Sequence, residues 1–283
     1  MTDPRPILVT GSSGNVGAPL VSLLRAAGLP VIATATRPQP EARHLDFEDP
    51  ATFAPALAGV GRVFLMRPPH ISDTRRYLRP FVRAMEVAGV EHVALLSLMG
   101  VNPAMPHWRV EQDLRASSLA WTFLRPAFFS QNLGAAYRAD IRDRDRLRLA
   151  SGRGRTSFID ARDIAAVAAQ VLAGPVAHRA QAYTLTGPEA LDYHRVAAML
   201  SEALGRAITY EPVGLLAYRR DLVAAGLPSA FVNVQLLINV VARLGLAARV
   251  DDTLPRLLGR PPRTLQQYIE DHRDLWRRSG SKP

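Results

Sequence analysis

Five short apolar runs, separated by segments of helical periodicity, limit what this chain can build. They are "PILVT" (6–10), "PVIATAT" (30–36), "RVFLM" (62–66), "HVALLSL" (92–98) and "WTFLRP" (121–126). None alternates apolar with polar residues, as a strand with one wet face would, so each belongs to a sheet covered on both sides. The intervening segments carry helix signals. "VGAPLVSLLRAAG" (16–28) stops at a glycine, and "DPATFAPALAG" (49–59) opens on an acidic cap. "SDTRRYLRPFVRAMEVAG" (72–89) has an acidic first turn and a terminal glycine, and a further helix is expected at about 107–118. Strand after strand with a helix between is the pattern of a parallel, doubly wound α/β sheet.

From about residue 127 the rhythm changes. "TSFIDARDIAAVAAQVLAG" (156–174) reads as a helix and "QAYTLTG" (181–187) as a late strand of the same sheet. The remainder reads as mostly helical, with one strand at "AITYEPV". The expected organisation is a domain over 1–186, with a segment near 127–156 contributing to a cleft, and a smaller, mostly helical domain over 187–283. "FVNVQLLINVVARLGLAARV" (231–250) is apolar on most faces, interrupted by Asn233, Gln235, Asn239 and Arg243. Those interruptions recur too often for a membrane span and suit a buried helix or a lid. Only the tail "RRSGSKP" has the composition of a disordered segment.

Composition removes several function classes. Cysteine is absent, which excludes disulfides, thiolate nucleophiles and cysteine-bound metals. The seven histidines are scattered without the spacing of a helical zinc motif. The net charge of +10 comes almost wholly from arginine, Lys282 being the sole lysine. These arginines are spread along the chain and alternate with aspartates in "YRADIRDRDRLRL", the pattern of a solvated, ion-paired surface and not of a nucleic-acid stripe. No targeting or membrane segment is visible, so a soluble, cytoplasmic protein is expected.

The first strand runs into "TGSSGNVG" (10–17), with glycines at 11, 14 and 17. Such a turn between strand and helix suits a dinucleotide: the first glycine allows the turn, the second lets the backbone approach the pyrophosphate, and the third permits close packing of the helix. The helix amides and dipole then favour the phosphates. A site for NAD places an acid at the end of the second strand. Here no acid precedes Glu41, and Arg37 stands where a guanidinium would pair the 2′-phosphate of NADP. NADP(H) is therefore expected over NAD(H). Short-chain dehydrogenases acidify a tyrosine with a lysine four residues later, and a chain whose one lysine is Lys282 cannot do so.

With "VTGSSGNVG" the stretches "LDFEDPATFAPALAGVGRVFLM", "HVALLSLMGVN", "VEQDLRASSLAWTFLRPAFFSQNL", "FIDARDIAAVAAQVL" and "YTLTGPEALDYHRVAAMLSEALGR" span nearly the whole chain. They resemble the NmrA-like group of atypical short-chain dehydrogenases, including its NAD(P)H:quinone oxidoreductase branch. The resemblance implies a Rossmann domain with a small C-terminal substrate domain and an active-site cleft between them. It implies that Gly11, Ser12, Gly14, Asn15, Val16, Gly17 and Arg37 contact phosphates and ribose, with Asp46 and Phe47 near the adenine. Met66 and Arg67 would follow the third strand toward the cofactor, where Arg67 either adds a phosphate contact or narrows the site. Pro126, Phe128 and Phe129 would border the nicotinamide, the two rings forming a flat wall for an aromatic substrate.

The resemblance places His107 and Glu111 where the tyrosine–lysine pair would be, four apart on one helix, and Ser97 at the end of the fourth strand near the nicotinamide. A histidine at a helix N-terminus has its charged form disfavoured and suits a neutral donor. The function implied is an NAD(P)H-dependent reductase of quinones or related conjugated carbonyls. The alternatives are a dinucleotide-binding regulator without turnover and a biosynthetic reductase or isomerase. The partner expected is a small molecule, with neither nucleic acid nor membrane, and no metal.

Overall fold

The computed structural model describes residues 4–278, so most of the "RRSGSKP" tail lies outside the described residues. In chain order, β1 (Ile7–Val9), α1 (Gly17–Ala26), β2 (Val31–Ala35), β3 (Arg43–His44), α2 (Phe53–Leu57) and β4 (Arg62–Met66) come first. Then follow α3 (Thr74–Val87), β5 (His92–Leu96), α4 (Pro106–Arg115), β6 (Ala120–Pro126), β7 (Phe128–Phe129), α5 (Arg138–Arg144) and β8 (Arg146–Leu149). β9 (Arg155–Ile159), α6 (Ala161–Ala173), β10 (Gln181–Leu185), β11 (Ala190–Asp192), α7 (Tyr193–Leu204) and β12 (Thr209–Pro212) precede the final helices. These are α8 (Leu215–Ala224), α9 (Ser229–Arg243), α10 (Thr253–Leu258) and α11 (Leu265–Asp271).

The chain divides into two compact units. The first comprises residues up to 126 with 161–185 and 253–259; the second comprises 127–160, 186–252 and the residues from 260. The first unit holds a seven-stranded sheet of order β10-β6-β5-β4-β1-β2-β3, parallel throughout. This is the Rossmann-type doubly wound arrangement that the apolar runs call for. Strand order reverses at β1, which pairs β2 on one side and β4 on the other. Side chains of alternate parity serve the two faces. Leu8, Val63, Leu65, Val93 and Leu95 share one core cluster with Phe53, Leu78, Phe81 and Leu114 of α2, α3 and α4. α1 and α6 pack together on the sheet's other side.

Helix ends follow the sequence signals. Asp49 and Asp73 accept the backbone N–H of Ala51 and Arg76 respectively, so the acid of "SDTRR" is the cap of α3 and not part of its first turn. The segment 49–59 is a 3₁₀ turn, Pro50–Thr52, followed by the short α2. Gly28, at φ +71°, ends α1 in the left-handed region.

Two expectations are corrected in the second unit. Thr156–Ile159 do not join the helix after them: β9 stands in a three-stranded sheet of order β11-β9-β7, and α6 starts at Ala161. The β-branched and aromatic run "TSFI" prefers the pleated surface. The C-terminal part contains two strands and not one, because β11, only three residues long, pairs antiparallel with β9.

The end of the first sheet opposite the glycine loop buries His92, which is 1% exposed. The Thr122 hydroxyl donates to His178 O (2.6 Å) and therefore accepts from His92 Nε2–H (2.9 Å), which places a proton on Nε2. Burial, with the positive Arg179, His178 and Arg62 as lesser causes, pushes the His92 pKa down from 6.5 to about 4. Between those values the unfolded chain takes up a proton that the folded chain refuses, so stability falls as pH falls from 6.5 toward 4. The loss from this group amounts to about 3 kcal/mol. Urea melts of wild type and His92→Asn at pH 7 and pH 4.5 are expected to show a smaller acid loss in the variant. Equal losses would reject the assignment.

Candidate active site

The glycine loop lies at the carboxyl end of β1, at the point where strand order reverses, the position in open α/β sheets where ligands bind. Gly11 has φ +62°. A Cβ there would stand 2.1 Å from the Met66 methyl, so Met66 lies directly over the first glycine. A Cβ on Gly17 would stand 2.1 Å from the Gly11 carbonyl oxygen, and one on Gly14 3.2 Å from the same atom. The loop is thus folded back on α1, and Gly14 N–H donates to Gly11 O (2.9 Å). No side chain caps α1 and no acid stands in its first turn, which leaves its amide end to an anion. A cradle with no room for a Cβ at Gly17 fits a dinucleotide pyrophosphate.

Two hydroxyls hold this loop. Thr10 Oγ1 donates to Phe64 O (3.0 Å) and accepts from Met66 N–H (2.8 Å), replacing a backbone rung where β1 and β4 part. Ser12 Oγ donates to Thr34 O (2.8 Å), tying the loop to β2. Arg37, two residues beyond β2, is exposed and makes no hydrogen bond or ion pair among the described residues. Asn15 is exposed and Val16 buried beneath the loop. Asp46 Oδ1 accepts Glu48 N–H (2.9 Å). Phe47 is a core residue whose ring meets Phe81 edge-on at 5.1 Å, so only its backbone is presented outward.

At the neighbouring strand ends the structure joins Ser97 and Glu111 and separates both from His107. Ser97 Oγ donates to Glu111 Oε1 (2.6 Å). Arg125, on β6, forks onto the same carboxylate through Nε (2.9 Å) and Nη2 (2.5 Å). Glu111 is 1% exposed, so this is a buried, bidentate ion pair capped by a hydroxyl. Arg125 is a member of the site that the sequence patterns did not single out. Its one signal was a lone cation in the apolar strand "WTFLRP", next to a helix offering an inward acid.

His107, in the first turn of α4, faces Arg67, whose Nε–H points at His107 Nε2 across a long 3.4 Å. Burial first, then the positive Arg67, lowers the His107 pKa from 6.5 to about 4. The imidazole is therefore neutral at pH 7. Arg67 Nη1 donates to Pro68 O, Pro69 O and Ile71 O, so its guanidinium clamps its own loop. Pro126 ends β6, and its carbonyl accepts Met99 N–H (2.9 Å). In the second unit, Phe128 stacks on Tyr137 at 6.5 Å and meets Phe158 edge-on at 5.5 Å, while Phe129 has no ring partner among the described residues. No group of acidic, histidine or cysteine side chains that could hold a metal occurs among the described residues.

A family model described as NAD(P)H-binding matches residues 11–175, more than half of the chain, and the chain belongs to that family. It is 36% identical over 282 residues to the NAD(P)H azoreductase of Xenophilus azovorans, covering 94% of this chain and 97% of that protein. It is similar in structure to the NADPH-dependent quinone oxidoreductase QOR2 of Escherichia coli complexed with NADPH. The TM-score is 0.82 at 25% identity, over 94% of this chain and 99% of the other. A further likeness, to the negative transcriptional regulator NmrA in complex with NAD, has a TM-score of 0.75 at 18% identity over 95% of each chain, and concerns the fold alone. Among the described residues no helix is long and apolar enough to cross a membrane.

Proposed function

We propose that this protein is an NADPH-dependent reductase that acts on quinones or related conjugated acceptors by direct hydride transfer. The observation that carries this reading is the character of the side chains gathered in the first unit near the glycine cradle. The Ser97 hydroxyl donates to Glu111, Glu111 is engaged by both arms of the Arg125 guanidinium, and His107 is neutral. None is a strong acid. An alkoxide developing at a carbonyl needs a positioned donor such as a tyrosine–lysine pair, whereas a hydroquinone anion, being phenolic, needs less stabilisation and water or a weak donor suffices. The azoreductase and quinone oxidoreductase relatives, whose names state reductions of conjugated acceptors, support the same class.

In this reading Gly11, Ser12, Gly14, Asn15, Val16 and Gly17 hold the pyrophosphate, and Asp46 and the Phe47 backbone flank the adenine. A nicotinamide cofactor bound there supplies the hydride. Met66 packs over the first glycine and Pro126 borders the acceptor side. Arg67 fixes the 67–71 loop and orients His107, which acts as a neutral hydrogen-bonding group. Ser97, its proton committed to Glu111, acts as an acceptor. Within the second unit, Phe129 is a ring without a stacking partner among the described residues.

The test is an emission titration of NADPH on the purified protein, followed by a quinone panel in the same cuvette. Enzyme-dependent loss of NADPH supports the reading. Binding that persists unchanged across the panel rejects turnover and favours a regulator. Arg37 is proposed to select the 2′-phosphate. Arg37→Ala is expected to weaken NADPH roughly 10- to 50-fold while leaving NADH nearly unchanged, the loss of one charge-assisted fork. Parallel titrations with both nucleotides check it, and an equal loss for both would remove Arg37 from that role.

A further inference from the structure

The second unit contains a groove that the proposed reaction does not use. The loop Ser151–Gly154 between β8 and β9 lies against the C-terminal turn of α9: a Cβ on Gly154 would stand 2.1 Å from Ala242 O. Gly152, at φ +57°, turns the loop. The two segments border an open surface groove of about 570 Å³, lined by Arg153, Arg155 and Arg243, all three exposed, by Leu244 and Ala248, and by glycine backbone.

The charge balance of this groove differs from that of its surroundings. On the adjoining β8, Arg146 pairs with Glu211 and Asp140, and Arg148 with Asp221 and Glu211. The three groove arginines form no ion pair among the described residues. Arg155 spends one N–H on Ala190 O (2.9 Å), and the guanidiniums of Arg153 and Arg243 make no hydrogen bond among the described residues. The carboxylate paired with Arg155 in the strand register, Asp192, is occupied in capping α7 through Arg195 N–H. Arg243 in the last turn of α9 also offsets the negative helix end. Three guanidinium forks beside bare glycine backbone form a receptor for a planar or tetrahedral oxyanion.

We propose that this groove is an oxyanion site for the phosphate, sulfonate or carboxylate group of a small molecule. Two sources fit that chemistry. One is a free anion. The other is the far end of the acceptor itself, and this second source rests on the reductase reading. Phe129 pairs with Ile159, and Ile159 shares a strand face with Arg155 four residues away. That separation is about 13 Å, and Ser157 and Ile159 on the intervening face are fully buried, so only an elongated acceptor running outside the strand would reach both ends.

The test is calorimetric titration of inorganic phosphate into the full chain, with ionic strength held constant by chloride. Saturable binding is expected, weakened at least tenfold in Arg243→Gln and in Arg153→Gln. It should be unchanged in Arg219→Gln, an exposed arginine of α8 outside the groove. Absence of saturable binding, binding that both groove variants retain, or equal weakening in all three would overturn the site. Turnover of 1,2-naphthoquinone-4-sulfonate and of menadione then separates the sources. A KM raised by Arg243→Gln for the sulfonate alone, with phosphate competitive, assigns the site to the acceptor. Phosphate binding with equal KM changes assigns it to a free anion. No turnover of either quinone would count against the reductase reading, while the phosphate titration would still decide the site.

Discussion

Replacing Gly17 by alanine is expected to weaken NADPH binding at least a hundredfold and to lower stability by several kcal/mol. The added methyl would lie 2.1 Å from Gly11 O, 2.8 Å from Gly11 C and 2.9 Å from Ser12 Cα, all backbone atoms that no rotamer change can clear. Either α1 or the loop must move by about an ångström, which pulls the loop amides off any bound phosphate, and a hundredfold loss corresponds to about 2.7 kcal/mol. Gly28→Ala is the matched control. It sits at φ +71° with nothing within 4 Å of its Cβ, so it carries backbone strain of about 1–2 kcal/mol and no clash. Emission titrations and urea melts on both variants separate the two effects. Wild-type NADPH affinity in Gly17→Ala would mean that this loop does not cradle the cofactor.

Arg125→Met is expected to destabilise the chain by about 3 kcal/mol, because it strands the Glu111 carboxylate in a site with 1% exposure. The Arg125 side chain is itself 27% exposed, so water entering its place keeps the loss at the lower end of the buried-pair range. Adding Glu111→Gln to Arg125→Met is expected to restore most of that stability. The amide oxygen still accepts the Ser97 hydroxyl, and no charge remains to be solvated. Urea midpoints of the single and double variants form the test. A double variant as unstable as Arg125→Met would show that the arginine matters through packing and not through charge.

The sheet and its glycine loop were legible because both are written locally. Val63, Phe64 and Leu65 must be apolar on a strand buried on both faces, Gly17 must lack a side chain because Gly11 O lies within the same seven residues, and Gly11 takes a positive φ in its own turn. What was not legible depends on partners distant in sequence. Arg125 reaches Glu111 fourteen residues away, across a helix–strand packing that no pattern specifies. β11 is too short to show alternation and exists by pairing with β9. His107 and Glu111 share a helix, yet one turns to Arg67 and the other to Ser97 and Arg125, a division made by which strand end each meets. The apolar pattern marked 231–250 as a buried helix or a lid, whereas α9 ends at Arg243, and the pattern could not show which side faces in.

The segment "FVNVQLLINVVAR" buries two amides, Gln235 and Asn239, beside Val232 and Ala242. Gln235 and Asn239 are buried and accept from Tyr137 OH (3.1 Å) and from Ala150 N–H and Ser151 Oγ (2.9 and 2.8 Å), while Val234 and Leu237 are about half exposed. For anyone preparing the protein, this reverses the usual guide to which positions are safe to alter. Solubilising charges belong at Val234 and Leu237, and the two amides are residues to leave alone.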